Sequence, residues 1–246
     1  MGSLATRTSA IRESVGDAPW PGHEYVRGWG VFGLPFNTGH VLALRVFPQG
    51  SFAPYRTIWH RDPEGSWSIW VDSPRVDVAC PRYYGAACAT VAQATIGLEW
   101  TGPRTLRVTV ESPRLDWELT ATATPALAFM NALSSVMPVA SWRPRSLLRA
   151  RERMAHVLGL GQITLAGDMP SGHTGVLMPQ RMYYVDDSHA TLDHVDLGHP
   201  VRLATNPTIG AVPLPARGVL AIGQAMWAIR DPDEFRRTRT ELQETP

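Results

Sequence analysis

The chain has 246 residues, 44% of them hydrophobic and 18% charged, with a net charge of +1, a balance that excludes a disordered polar chain and a broad electrostatic footprint for nucleic acid. All 23 basic residues are arginine, which excludes chemistry needing a lysine amine: Schiff-base catalysis, the pyridoxal-phosphate linkage and the phosphate-binding loop. Cys80 and Cys88 are the only cysteines, too few for a disulfide framework or a cysteine-only zinc site.

The first residues contain no apolar signal region, and no apolar run is long enough to span a bilayer, so a cytoplasmic protein without stable membrane insertion is expected. Residues 1–37 are rich in Gly, Pro and Trp without sustained periodicity and read as an irregular lead-in. Regular structure begins at His40. VLALRVF (41–47) alternates, and TIWHR and WSIWV flank the turn Asp62-Pro63-Glu64-Gly65. The proline presets the first torsion of that turn and the glycine takes the left-handed one. The loop pairs Asp62 with Ser66, so His60 falls opposite Ser68, Trp59 opposite Ile69 and Ile58 opposite Trp70. One face then carries Trp59, Trp67, Ile69 and Val71, and the other Ile58, His60, Ser68, Trp70 and Asp72.

IGLEW, TLRVTV and LDWELTAT continue the series. Leu106, Val108 and Val110 share a face, as do Leu115, Trp117 and Leu119, while Asp116 and Glu118 point back as a solvated charged face. From Pro125 the period becomes helical through PALAFMNALSSVM and SLLRARERMAHVLGL, with Gly159 as a stop. Strand signals resume in QITLAG (162–167), VLMPQRMYYV (176–185), ATLDHVDL (190–197) and GVLAIGQAMWAI (218–229), before a polar helical tail. The organisation expected is one domain over 1–246: β half 38–124, helical insert 125–159, β half 160–229 and tail 230–246.

Three places could hold chemistry. His60, Trp70 and Asp72 put an acid/base side chain, an aromatic wall and a carboxylate on one hairpin face, with Trp59 and Trp67 as further apolar wall. The competing reading makes His60 a satisfied rim histidine and the tryptophans core. Tyr183 and Tyr184 point to opposite faces of their strand, and Tyr184 is taken as a possible proton donor. In SHATLDHVDLGH, the residues His189, Asp193, His194, Asp196 and His199 lie close in sequence, but without a trusted zinc spacing, so no metal is assigned and His194 is kept as a ligand contact. Arg143, Arg145, Arg149, Arg151 and Arg153 read as the solvated face of an amphipathic helix.

The segments GHVLALRVFP, YRTIWHRDPEGSWSIWVD, LEWTGPRTLRVTV and DHVDLG together resemble the lipocalin-like proteins grouped with carotenoid 1,2-hydratases, a group that includes Diels-Alderases of natural-product pathways. The chain is shorter than the double-barrel members, and a helical pair separates its β halves. The resemblance implies a mainly β, lipocalin-like antiparallel β-barrel, or two half-barrels, to which the helical periodicity adds a helical pair near the middle and a C-terminal helix. It also implies an enzyme without a cofactor, acting on a small apolar polyketide or terpenoid-like molecule by cyclisation, isomerisation or hydration. A non-catalytic carrier with the same pocket is the rival expectation.

Overall fold

The turn after β-strand 55–61 forms as its residues dictate. Asp62 N–H donates to Ser66 O at 3.1 Å and Gly65 N–H to Asp62 O at 3.1 Å, with Gly65 at φ +101°, a torsion that favours glycine. The register that follows pairs His60 with Ser68, Trp59 with Ile69 and Ile58 with Trp70. Residues 2–244 are described in the computed structural model. Their strands in chain order are β1 (Ser14–Val15), β2 (His23–Pro35), β3 (Val41–Gly50), β4 (Tyr55–Arg61), β5 (Trp67–Asp72), β6 (Thr90–Gln93), β7 (Ile96–Trp100), β8 (Thr105–Val110), β9 (Leu115–Thr122), β10 (Ala166–Asp168), β11 (Thr174–Leu192), β12 (Val195–Asp196), β13 (Thr208–Ile209), β14 (Val212–Pro213) and β15 (Val219–Ala228). The α-helices are α1 (Leu4–Ser9), α2 (Pro81–Tyr84), α3 (Pro125–Ser135), α4 (Arg145–Val157) and α5 (Pro232–Glu244), the middle pair and the C-terminal helix lying where the helical periodicity puts them.

The fold is mainly β, with a barrel-like sheet. Ten strands follow one path in the order β6-β5-β4-β3-β2-β15-β11-β9-β8-β7, antiparallel throughout except for the β5–β6 pair. Its two end strands are joined by residues 94 and 95 alone, a link that spans roughly 10 Å at full extension, so the sheet has to curl. Side chains complete the approach: Asp72 Oδ2 accepts from Ile96 N at 3.3 Å, and Arg56 Nη1 donates to Ile96 O at 3.0 Å. The inside of the curl is packed with Leu42, Leu44, Ile58, Val108, Trp117, Leu119 and their neighbours. Each of these large apolar side chains contributes on the order of 2 kcal/mol by its burial. The outer face of β3–β5 is also covered: Ala43, Trp59, Trp67, Ile69 and Val71 pack beneath Cys80, Tyr83, Tyr84, Ile209, Val212 and Leu214. This second layer explains why neither face of the first hairpin is solvated.

Four expectations are corrected. The stretch 1–37 is not an irregular lead-in, because β2 occupies 13 residues of it and lies in the middle of the sheet. From residue 28 to 35 both faces of β2 are covered, so alternation is lost there, and its glycines mark close backbone approach: a Cβ on Gly28 would lie 1.9 Å from Val46 O. VLMPQRMYYV and the start of ATLDHVDL belong to one strand, β11, bent at register shifts near Arg181 and Asp187. Asp193 and His194, expected on a strand, form the two-residue turn from β11 to β12, with φ of +48° and +69° as a type I′ turn requires. QITLAG is mostly non-strand, since regular pairing starts at Ala166. No helix among the described residues is long and apolar enough to cross a membrane.

Candidate functional site

Sequence alternation puts Leu42, Leu44 and Val46 of β3 into the curl and Ala43, Arg45 and Phe47 on its outer face. The outer face carries a cavity, partly open to solvent, between β2–β4, β11 and β15 on one side and the segments 160–165 and 212–215 on the other. Its walls are apolar, with Phe47, Trp59, Ile163, Leu177, Leu214 and Trp227 prominent. The cross-strand pair Gly28–Gly223 lines it as well, and a Cβ on Gly223 would lie 2.3 Å from Met178 O, so this part of the wall stays free of side chains.

A small polar set is fixed in these walls: Arg45, Cys80, Tyr84, Thr164 and Gln224. Arg45 is 4% exposed. Its Nη1 donates to the carbonyls of Val31 and Leu44 and its Nη2 to that of Phe32, while its guanidinium lies 4.1 Å from the Phe32 ring centroid and 4.7 Å from that of Trp59. Burial lowers its pKa to about 10, which leaves it charged at neutral pH. Burial also pushes up the Cys80 thiol and the Tyr84 phenol, so both hold their protons there. The arrangement therefore offers one fixed positive charge and protonated donors inside an apolar wall, where electrostatic effects exceed those in water.

The residues singled out from sequence do not form one site. His60 and Trp70 do meet inside the curl, stacked with ring centroids 5.8 Å apart. The Nε2 of His60 shares a hydrogen bond with Nδ1 of His40 at 2.9 Å. Burial, and His40 secondarily, lower the His60 pKa to about 4. Asp72 lies on the same face but opposite Arg56, four residues along β4 from His60, which is roughly 13 Å of strand. It pairs with Arg56 at 3.6 Å and holds the sheet edge instead of orienting the imidazole.

Trp59 and Trp67 face outward. Trp59 lines the cavity and donates to Thr57 Oγ1 at 2.8 Å, whereas Trp67 Nε1 donates to Thr208 O at 2.8 Å and ties down the covering loop. Tyr184 donates its hydroxyl to Leu158 O at 2.9 Å under the guanidinium of Arg217, in the cluster that seats the helical insert. His194 occupies the exposed hairpin turn with Asp193, whose side chain accepts from Arg114 N at 2.9 Å. Among the described residues no three His, Cys, Asp or Glu side chains gather around a possible ion position.

Sequence reasoning passed over Arg45, Tyr84 and Gln224. The available signal was a charge in the middle of VLALRVF, an otherwise apolar strand. Comparison with protein-family models, with curated proteins and with solved structures finds no match to this chain.

Proposed function

We propose that the protein is a cofactor-independent enzyme that takes an apolar polyketide or terpenoid-like molecule into the outer-face cavity and promotes its cyclisation or isomerisation. The observation that carries this reading is the cavity itself: apolar on nearly all sides, with a buried guanidinium in its wall. Holding a flexible substrate in one reactive shape removes much of the entropic barrier to ring closure. A fixed positive charge beside a developing oxyanion or polarised carbonyl lowers the barrier further. His60, expected from the sequence as the acid/base group, stacks on Trp70 inside the curl and does not line this cavity.

A non-catalytic carrier is favoured by one observation: the lining thiol and phenol are both held protonated by burial and accept no proton at neutral pH. Incubation with a small-molecule extract of the host, followed by chromatography and mass spectrometry, separates the readings. A compound of unchanged mass and altered retention supports the enzyme, and one released unchanged supports the carrier. Ala225→Phe, which fills the cavity from β15, is expected to abolish either result. Equal behaviour of wild type and Ala225→Phe removes the cavity from the function.

A further inference from the structure

We propose that the cavity selects apolar molecules that carry an anionic oxygen head, a carboxylate first of all, and that Arg45 is the residue that binds it. This rests on the cavity being a ligand site. An arginine that is 4% exposed normally stands against a carboxylate, as Arg82 does against Glu24 at 3.2 Å. Arg45 has no such partner among the described residues. Its three hydrogen bonds all go to backbone carbonyls, which leaves the Nε–H and one Nη2–H unengaged. Those two nitrogens flank one edge of the planar guanidinium, and their spacing matches the two oxygens of a carboxylate.

The rest of the lining points the same way: it contains a protonated phenol and a thiol, but no Asp or Glu. Carbonyl dipoles and the faces of Phe32 and Trp59 offset part of the cost of burying the charge. They cannot cancel it, whereas an anion arriving with an apolar body can do so while its tail meets Phe47, Leu177 and Leu214.

The test uses matched probes. Neutral N-phenyl-1-naphthylamine reports occupancy by fluorescence, and dodecanoate, dodecanol and methyl dodecanoate are titrated as competitors at pH 7.5 against wild type, Arg45→Met and Arg45→Gln. The proposal expects dodecanoate to displace the probe from wild type at least tenfold more tightly than dodecanol. Both variants should lose that preference while still binding the neutral probe. Arg45→Met should also melt at or above the wild-type temperature without ligand, since it removes an uncompensated buried charge.

Equal displacement by acid and alcohol in wild type overturns the anionic head and leaves the cavity standing. A preference that survives in both folded variants overturns the assignment to Arg45. Failure of the neutral probe and all three competitors to bind wild type overturns the cavity reading, and the proposal with it. Should neither variant fold, Ala225→Phe replaces them: dodecanoate binding that persists with the cavity filled overturns the proposal, and its loss supports it.

Discussion

His40 and His60 share one hydrogen bond, 2.9 Å between Nδ1 and Nε2, and the His60 ring stacks on the indole of Trp70. One nitrogen of such a bond must be unprotonated, and burial disfavours the imidazolium, so His60 is neutral in the folded protein down to about pH 4. Its pKa in the unfolded chain is about 6.5. Between these values the unfolded state binds the extra proton, so stability falls as pH drops from 6.5 towards 4.

The loss from this group is on the order of 3 kcal/mol over that window. Urea midpoints at pH 7 and pH 4.5 are expected to differ more in wild type than in His60→Gln. Glu24, whose pKa burial raises, acts in the opposite sense but equally in both proteins, so it cancels in the comparison. Identical pH slopes would show that His60 does not titrate as its burial requires. Because it faces away from the cavity, His60→Gln should bind apolar probes like wild type.

Glu24 is wholly buried and holds Arg82 through both carboxylate oxygens at 3.2 Å, while Arg82 reaches Glu234 on α5 at 3.0 Å. His173 lies 3.6 Å from the same carboxylate and takes Ser171 Oγ on its other nitrogen at 2.8 Å. Truncation to Ala strands the guanidinium and costs about 3–5 kcal/mol. Chemical denaturation of Glu24→Ala is expected to show this loss, with α5 released first in hydrogen exchange. A change below about 1 kcal/mol would mean that solvent or Glu234 already satisfies Arg82.

Asn131 of α3 behaves as an extra strand residue towards β11. Its amide donates to Met182 O at 2.8 Å and its oxygen accepts from Met182 N at 2.7 Å. Asn131→Ala removes both bonds at a buried position and should cost about 2 kcal/mol. Amide exchange at Met182 is the direct readout. Unchanged protection there would show that the helical insert is held without this clamp.

Tyr184 and Asp72 are expected to be structural. Tyr184→Phe deletes the hydroxyl that reaches Leu158 O, and should lower stability by about 1 kcal/mol without altering product formation or probe affinity. Asp72→Asn weakens a half-exposed contact to Arg56 and the bond from Ile96 N, and should cost no more than about 1 kcal/mol. Loss of turnover in either folded variant would return that residue to the catalytic set.

The hairpin register, the helical insert and the C-terminal helix were legible because each depends on neighbours in the chain. Turn chemistry at Asp62–Gly65 aligns β4 with β5, and a period of two then distributes Trp59 and His60 to opposite faces without reference to anything distant. Central strand β2 was illegible because its glycines weaken the strand signal and, from residue 28 on, burial of both faces erases alternation.

Which hairpin face would turn inward was decided only by the tertiary structure, since both are apolar. The two-residue link between the end strands curls the sheet, and the curl puts His60 inside and Trp59 under a second layer. Arg45 stands in plain view within VLALRVF, yet a strand can present such a side chain to water as easily as to a cavity. Its burial follows from the rings of Phe32 and Trp59 and from Cys80 and Tyr84, brought to it from other parts of the chain, and residue alternation carries no information about that cover.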